Sequence, residues 1–121
     1  MTRLQTLFLC AWLVVWTGLA WLMLTPRPPV APVSDKIVHF AVYLTMTAFA
    51  LSFSRSQLSI AGTATLTAML ASLLEYLQGF VPGRSFDPAD LLANGAGIAS
   101  GWLLAATLLL LAPHPLARST D

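Results

Sequence analysis

A chain of 121 residues with 57% hydrophobic and only 9% charged side chains, at a mean hydropathy of +0.76, lies far from the soluble norm of about a quarter charged residues. The composition reads as that of an integral membrane protein, and a formal net charge of +1 leaves no basic stripe to hold nucleic acid. The single cysteine, Cys10, has no intrachain mate, so a disulfide scaffold is excluded and the residue reads as a small packing or lipid-facing side chain.

Crossing the hydrocarbon core takes about 20 apolar residues. The first candidate span covers residues 4–24 and stops at TPRPPVAP, whose prolines cannot continue a helix and read as an extended external connector. Its apolar run is longer than the roughly 7–15 residues of a signal peptide, and no A-x-A-like site follows, so it is expected to be retained. Trp12, Trp16 and Trp21 lie on it without polar company and are expected to face lipid or the interface. Residues 37–54 form the second span, and the polar turn SRSQ leads to the third, 58–80. After a loop ending in FDPAD, the fourth covers 89–111, followed by a polar tail over 113–121.

The connectors are too short for a soluble domain. The expected architecture is therefore all-α: one domain over 1–121, an integral membrane four-helix antiparallel bundle. Counting Lys and Arg gives Arg3, Arg55 and Arg118 on one side against Arg27, Lys36 and Arg84 on the other. The second side also carries Asp35, Asp87 and Asp90, and a short leading segment with Arg3 is expected to stay inside. Both termini are accordingly expected in the cytoplasm.

That topology brings the start of the second span, the end of the third and the start of the fourth to one membrane face, where the unusual polar residues gather. Asp35, His39 and Tyr43 follow i, i+4, i+8 and share a stripe. Glu75 and Gln78 share a face of the third span, and Asp90, Asn94, Gly97 and Gly101 form a stripe on the fourth. At 1.5 Å of rise per residue, Glu75 lies about 7 Å below Phe80, His39 about 6 Å below Asp35 and Asn94 about 9 Å below Pro88. Four of the five acidic residues thus belong to one cluster. An ionised carboxylate at that depth costs several kcal/mol unless paired or solvated, so Glu75 is expected to face the interior or a wet cavity.

Several of these residues also have plainer roles. Asp87 before Pro88, with Asp90 in the first turn, is what a helix start looks like, so Asp87 is as suited to capping as to ligand contact. Gly97-x-x-x-Gly101 suits close helix packing. Val81-Pro82-Gly83-Arg84 reads as a tight turn that aims Arg84, whose guanidinium suits phosphate or carboxylate, or neutralisation of Glu75, Asp87 or Asp90. Lys36 reads as an anchor reaching the headgroups, and Tyr43 and Gln78 as supporting residues. His39 is an imidazole inside a span, a rare placement that points to function, and its structural alternative is a hydrogen bond to Glu75 or Asp90. No metal is expected, since no H-E-x-x-H or comparably dense motif occurs and the acids are spread over three helices; no other cofactor is expected. PRPPVAPVSDKIVH and PGRSFDPADLLAN share an order in which Asp35 and His39 answer Asp90 and Asn94. This fits a parallel repeat of two hairpins, or a chance match of short proline-rich loops.

D-K-x-x-H-F-x-x-Y over residues 35–43, E-x-x-Q over 75–78 and P-G-R-S-F-D-x-x-D-x-x-x-N-x-x-G over 82–97 resemble the VanZ-like membrane protein family, across nearly the whole chain. The resemblance implies a multi-spanning protein of the bacterial cytoplasmic membrane. The family's founding member is associated with low-level teicoplanin resistance, which the resemblance extends to this chain only as an expectation.

Together these readings predict an outward-facing polar pocket for an anionic amphiphile, such as a lipid-linked precursor, a phospholipid headgroup or a lipoglycopeptide. Arg84 and Lys36 would pair with the anion, over a floor of Asp35, His39, Glu75, Asp90 and Asn94. Two rivals are an enzyme using His39, Glu75 or Asp90 as acid or base, and a purely structural polar network. Partners are expected among membrane lipids, lipid-linked amphiphiles and other membrane helices, including a helix-mediated oligomer.

Overall fold

The computed structural model describes residues 2–26 and 34–111. Most of the proline-rich connector, with Arg27, and the polar tail, with Arg118, fall outside them.

All regular elements among the described residues are helical: α1 (Arg3–Leu24), α2 (Asp35–Ala48), a 3₁₀ turn (Phe49–Ser52), α3 (Gln57–Gln78) and α4 (Pro88–Leu111). Helices α1, α3 and α4 are long and apolar enough to cross a membrane. The expected second span is corrected: its α-helix starts two residues early, at Asp35, and gives way to the 3₁₀ turn at Phe49. Local hydrogen bonds account for the break. The Ser52 hydroxyl donates back to the Phe49 carbonyl at 2.6 Å, and the Phe53 and Ser54 N–H groups both turn to the Ala50 carbonyl.

Helix starts follow from capping chemistry. Thr2 and Gln5 form a reciprocal capping box on α1, the Thr2 N–H donating to Gln5 Oε1 at 2.8 Å. The Gln5 amide then donates to the Phe53 carbonyl, tying the start of α1 to the segment after the 3₁₀ turn. Ser56 caps α3 through the Ser59 N–H.

Trp12 and Trp16 overturn the expectation of a lipid-facing position. They are 3% and 7% exposed, whereas Trp21 is 71% exposed. Their i, i+4 spacing sets both indoles on one face of α1, edge to face at 5.7 Å, against Tyr43, Met46 and Leu74. Trp12 Nε1 donates to the Met46 carbonyl at 3.0 Å, one of the last four carbonyls of α2, which have no partner within the helix. Outward faces carry Leu7, Val14, Leu66, Met69, Leu92 and Leu110, while Thr47, Thr67, Glu75 and Asn94 are buried. This distribution suits a lipid surround.

Helix α2 packs most extensively against α4. Gly97 and Gly101 permit it: a Cβ on Gly97 would strike the Phe40 carbonyl oxygen, and one on Gly101 the Leu44 carbonyl oxygen and Thr47 Cβ. Backbone therefore meets backbone at one contact, and the polar residues one to two turns earlier on each helix are carried to within hydrogen-bond reach.

Candidate functional site

His39, on the face of α2 turned to α4, is 2% exposed, and its Nδ1 lies 2.8 Å from Asn94 Oδ1. An amide oxygen only accepts, so Nδ1 is the donor in this contact, and Nε2 points away from Asn94. Nε2 lies 3.9 Å from Asp35 Oδ1 and 3.9 Å from Asp90 Oδ2. Glu75 approaches the other side of the ring, its Oε2 being 4.0 Å from Nδ1. The hydrogen bond expected from His39 to Glu75 or Asp90 is not made: its partner is Asn94, and the acids stand outside hydrogen-bond length.

Glu75 comes from α3 and is 1% exposed. Its Oε1 accepts the Asp87 main-chain N–H at 3.1 Å, a contact with no signature in the side-chain sequence. Its Oε2 is buried without a hydrogen-bond partner, as is Asn94 Nδ2. Asp87 also caps α4, accepting the Ala89 N–H on Oδ1 at 2.8 Å.

Lys36, half-exposed, reaches across to the start of α4: its Nζ lies 3.1 Å from Asp87 Oδ2 and 3.4 Å from Asp90 Oδ1. The hydrogen bond to Asp87 and the nearby Asp90 charge hold the Lys36 ammonium above its ordinary pKa. The Ala89 N–H, reinforced by Lys36, holds the Asp87 carboxyl below its own. Asp90 divides its oxygens, Oδ1 toward Lys36 and Oδ2 toward His39.

Two predicted site residues also hold α1. Arg84 donates from Nε to the Thr25 carbonyl and from its terminal nitrogen to the Leu22 carbonyl, both at 2.8 Å. Gln78 donates to the Met23 carbonyl at 3.2 Å. These are carbonyls at the end of a helix, where a cation and extra donors are favourable. The tight turn that aims Arg84 forms as the sequence predicts, with the Arg84 N–H on the Val81 carbonyl and Gly83 at φ 78°. Tyr43 is buried one turn below His39, their ring centres 6.4 Å apart.

The cluster opens onto a cleft of about 190 Å³ lined by Asp35, Gln78, Gly83, Arg84, Ser85, Asp87 and Asp90. Ser85 and Gly83 are the lining residues that sequence reasoning left out; a loop position beside a predicted arginine was the available signal. Asp35, His39 and Asp90 each present one donor atom, all within 4.8 Å of one another. Chemically, an imidazole oriented by an amide and facing carboxylates suits proton transfer or coordination.

A family model described as VanZ/LLP1 matches residues 5–111, which include every one of these side chains. The chain belongs to the VanZ/LLP1 family. No curated protein matches the chain, and neither does any solved structure. The VanZ/LLP1 match therefore agrees with the resemblance of the three motifs, and those motifs supply the buried histidine, glutamate, aspartate and asparagine of the cluster.

Proposed function

We propose that this VanZ/LLP1 protein is a single-domain, antiparallel four-helix bundle of the bacterial cytoplasmic membrane that presents its cleft outward to the headgroup of an anionic amphiphile. The observation that carries the reading is the convergence of Asp35, His39, Glu75, Asp90 and Asn94 from three helices beneath a cleft rimmed by Arg84 and Ser85. Membrane-buried ionisable groups are costly, and they gather where a polar ligand or pathway is served.

Contacts between helix ends support the topology. Gln78 and Arg84 meet the end of α1 beside the starts of α2 and α4, while Gln5 meets Phe53 and Gln57 reaches the Ala106 carbonyl. A short leading segment with Arg3, which shares its side with Arg55, favours that opposite side as cytoplasmic. The cleft is smaller than the roughly 300–1,000 Å³ that drug-sized ligands occupy, which favours a lipid headgroup over a whole lipoglycopeptide. Any tolerance to teicoplanin is then expected to act through that lipid.

Lipids retained by the purified protein, identified by mass spectrometry, test the reading. A phosphate-bearing lipid enriched over the bulk membrane, and lost from a folded Arg84→Ala variant, is the expected result. Retained lipids that mirror the bulk in both proteins would overturn it, and a covalently altered lipid would move the reading to the acid–base enzyme.

A further inference from the structure

Three exposed rings crowd the connector between α3 and α4. Tyr76, Phe80 and Phe86 are 59%, 70% and 46% exposed, and with Gly79 they line a groove of about 310 Å³. Tyr76 and Phe80, one helical turn apart in sequence, stand edge to face with ring centres 5.3 Å apart. Gly79 keeps the floor low between them and Phe86: a Cβ there would lie 3.6 Å from Phe86 Cβ and 3.3 Å from the Tyr76 carbonyl oxygen.

We propose that this groove and the polar cleft are two compartments of one binding site, the cleft taking the headgroup of a phospholipid and the groove the first part of one of its acyl chains. The inference rests on the reading of the cleft as a headgroup site. Three observations carry it beyond that reading.

The first is that the two compartments share a wall. Gln78 lines the cleft and Gly79 the groove; Ser85 and Asp87 line the cleft, and Phe86 between them lines the groove. The connector thus changes from polar to apolar within one residue, at two places in the chain. A phospholipid makes the same change over a short distance, at its glycerol. The second is height. Helices α3 and α4, at roughly 33 and 36 Å, each match the hydrocarbon core of about 30 Å. Gly79, Phe80 and Phe86 lie beyond their ends, at the headgroup level with the cleft.

The third is the chemistry of the rings. Interfacial anchors are tryptophan and tyrosine, whose polar handle reaches water while the ring stays apolar. Phe80 and Phe86 have no such handle, so at the headgroup level their faces gain most from an apolar cover. An acyl chain drawn up from the bilayer beside its own headgroup supplies that cover. The same molecule then gains contact on both sides of the Ser85–Phe86 wall, and the chain contact adds affinity that a free headgroup lacks.

The test is titration of the full-length protein in detergent with dioleoyl phosphatidylglycerol, read by native mass spectrometry. One lipid per chain is expected, bound roughly five- to tenfold more weakly by Phe80→Ala and by Phe86→Ala. Leu110→Ala, also at an exposed apolar residue but near the other end of α4, should match wild type. Glycerophosphoglycerol, the same headgroup without its chains, should not distinguish the phenylalanine variants from wild type. Because Phe80 is 70% exposed, its variant keeps the test open should Phe86→Ala unfold. Lipid affinity unchanged in the folded phenylalanine variants, or weakened as much by Leu110→Ala, would overturn the groove, while a loss in Arg84→Ala would leave the cleft standing. Phenylalanine variants that weaken binding while Arg84→Ala does not would overturn the cleft as the headgroup site, and with it the shared ligand.

Discussion

His39 and Asn94 are joined by a buried 2.8 Å contact across the place where α2 and α4 touch backbone to backbone. Neither residue can be satisfied by its own helix at that point, so the pair couples the register of the two helices to the shape of the polar cluster.

This pairing predicts non-additive stability. Asn94→Leu strands a ring N–H that is almost fully buried and should cost about 1–3 kcal/mol. Replacing both partners, as in His39→Phe with Asn94→Leu, removes the unsatisfied groups together and should recover most of that loss. Thermal unfolding of the two single variants and the double variant in detergent measures the coupling; simple additivity would mean the residues do not bond.

Glycine variants should separate by position. Gly97→Ala places a Cβ against the Phe40 carbonyl oxygen, an obstruction made of backbone, and should destabilise by about 1–3 kcal/mol. Gly95→Ala, two residues earlier, meets nothing within 4 Å and should be neutral or slightly stabilising. If the two variants melt alike, α2 and α4 do not approach as described.

Much of this site is readable in the sequence, and what is not has a common cause. The stripes Asp35–His39 and Asp90–Asn94 follow from helical spacing, and two stripes at one depth were bound to be neighbours once the glycines marked the contact. Turn and cap chemistry was equally legible, in Gly83 and in Asp87. By contrast, the roles of Arg84, Gln78 and Trp12 depend on which main-chain carbonyls lie at helix ends, and side-chain patterns carry no record of that. The break in α2 at Phe49 was hidden for the same reason, since FALSFS is apolar enough to continue a span and is ended by serine and backbone hydrogen bonds.

Arg84 is expected to stabilise α1 before it serves any ligand. Two directional N–H bonds to Thr25 and Leu22 need a planar fork, which a lysine cannot reproduce. Arg84→Lys should therefore lose about 1.5–3 kcal/mol, as expected for hydrogen bonds from a charged group. Faster hydrogen exchange confined to the end of α1 would accompany the loss. Unchanged exchange there, with weakened lipid retention, would assign Arg84 to the ligand instead.

The Lys36–Asp87 pair predicts a stability plateau with two edges. The depressed Asp87 carboxyl contributes stability that is present above its ordinary pKa of 3.8 and is lost as pH falls through the lower folded value. The raised Lys36 ammonium contributes stability that is complete below its ordinary pKa of 10.5 and is lost as pH rises through the higher folded value. Asp87→Asn should remove this residue's share of the acidic edge, and Lys36→Met the alkaline one, each lowering the plateau between them. Because both groups are exposed to solvent and screened by salt, the plateau difference between wild type and Lys36→Met should shrink as ionic strength rises. Melting curves in detergent across pH at low and high salt measure both effects, and a Lys36→Met difference that is indifferent to salt would show that packing, rather than charge, holds Lys36 over the start of α4.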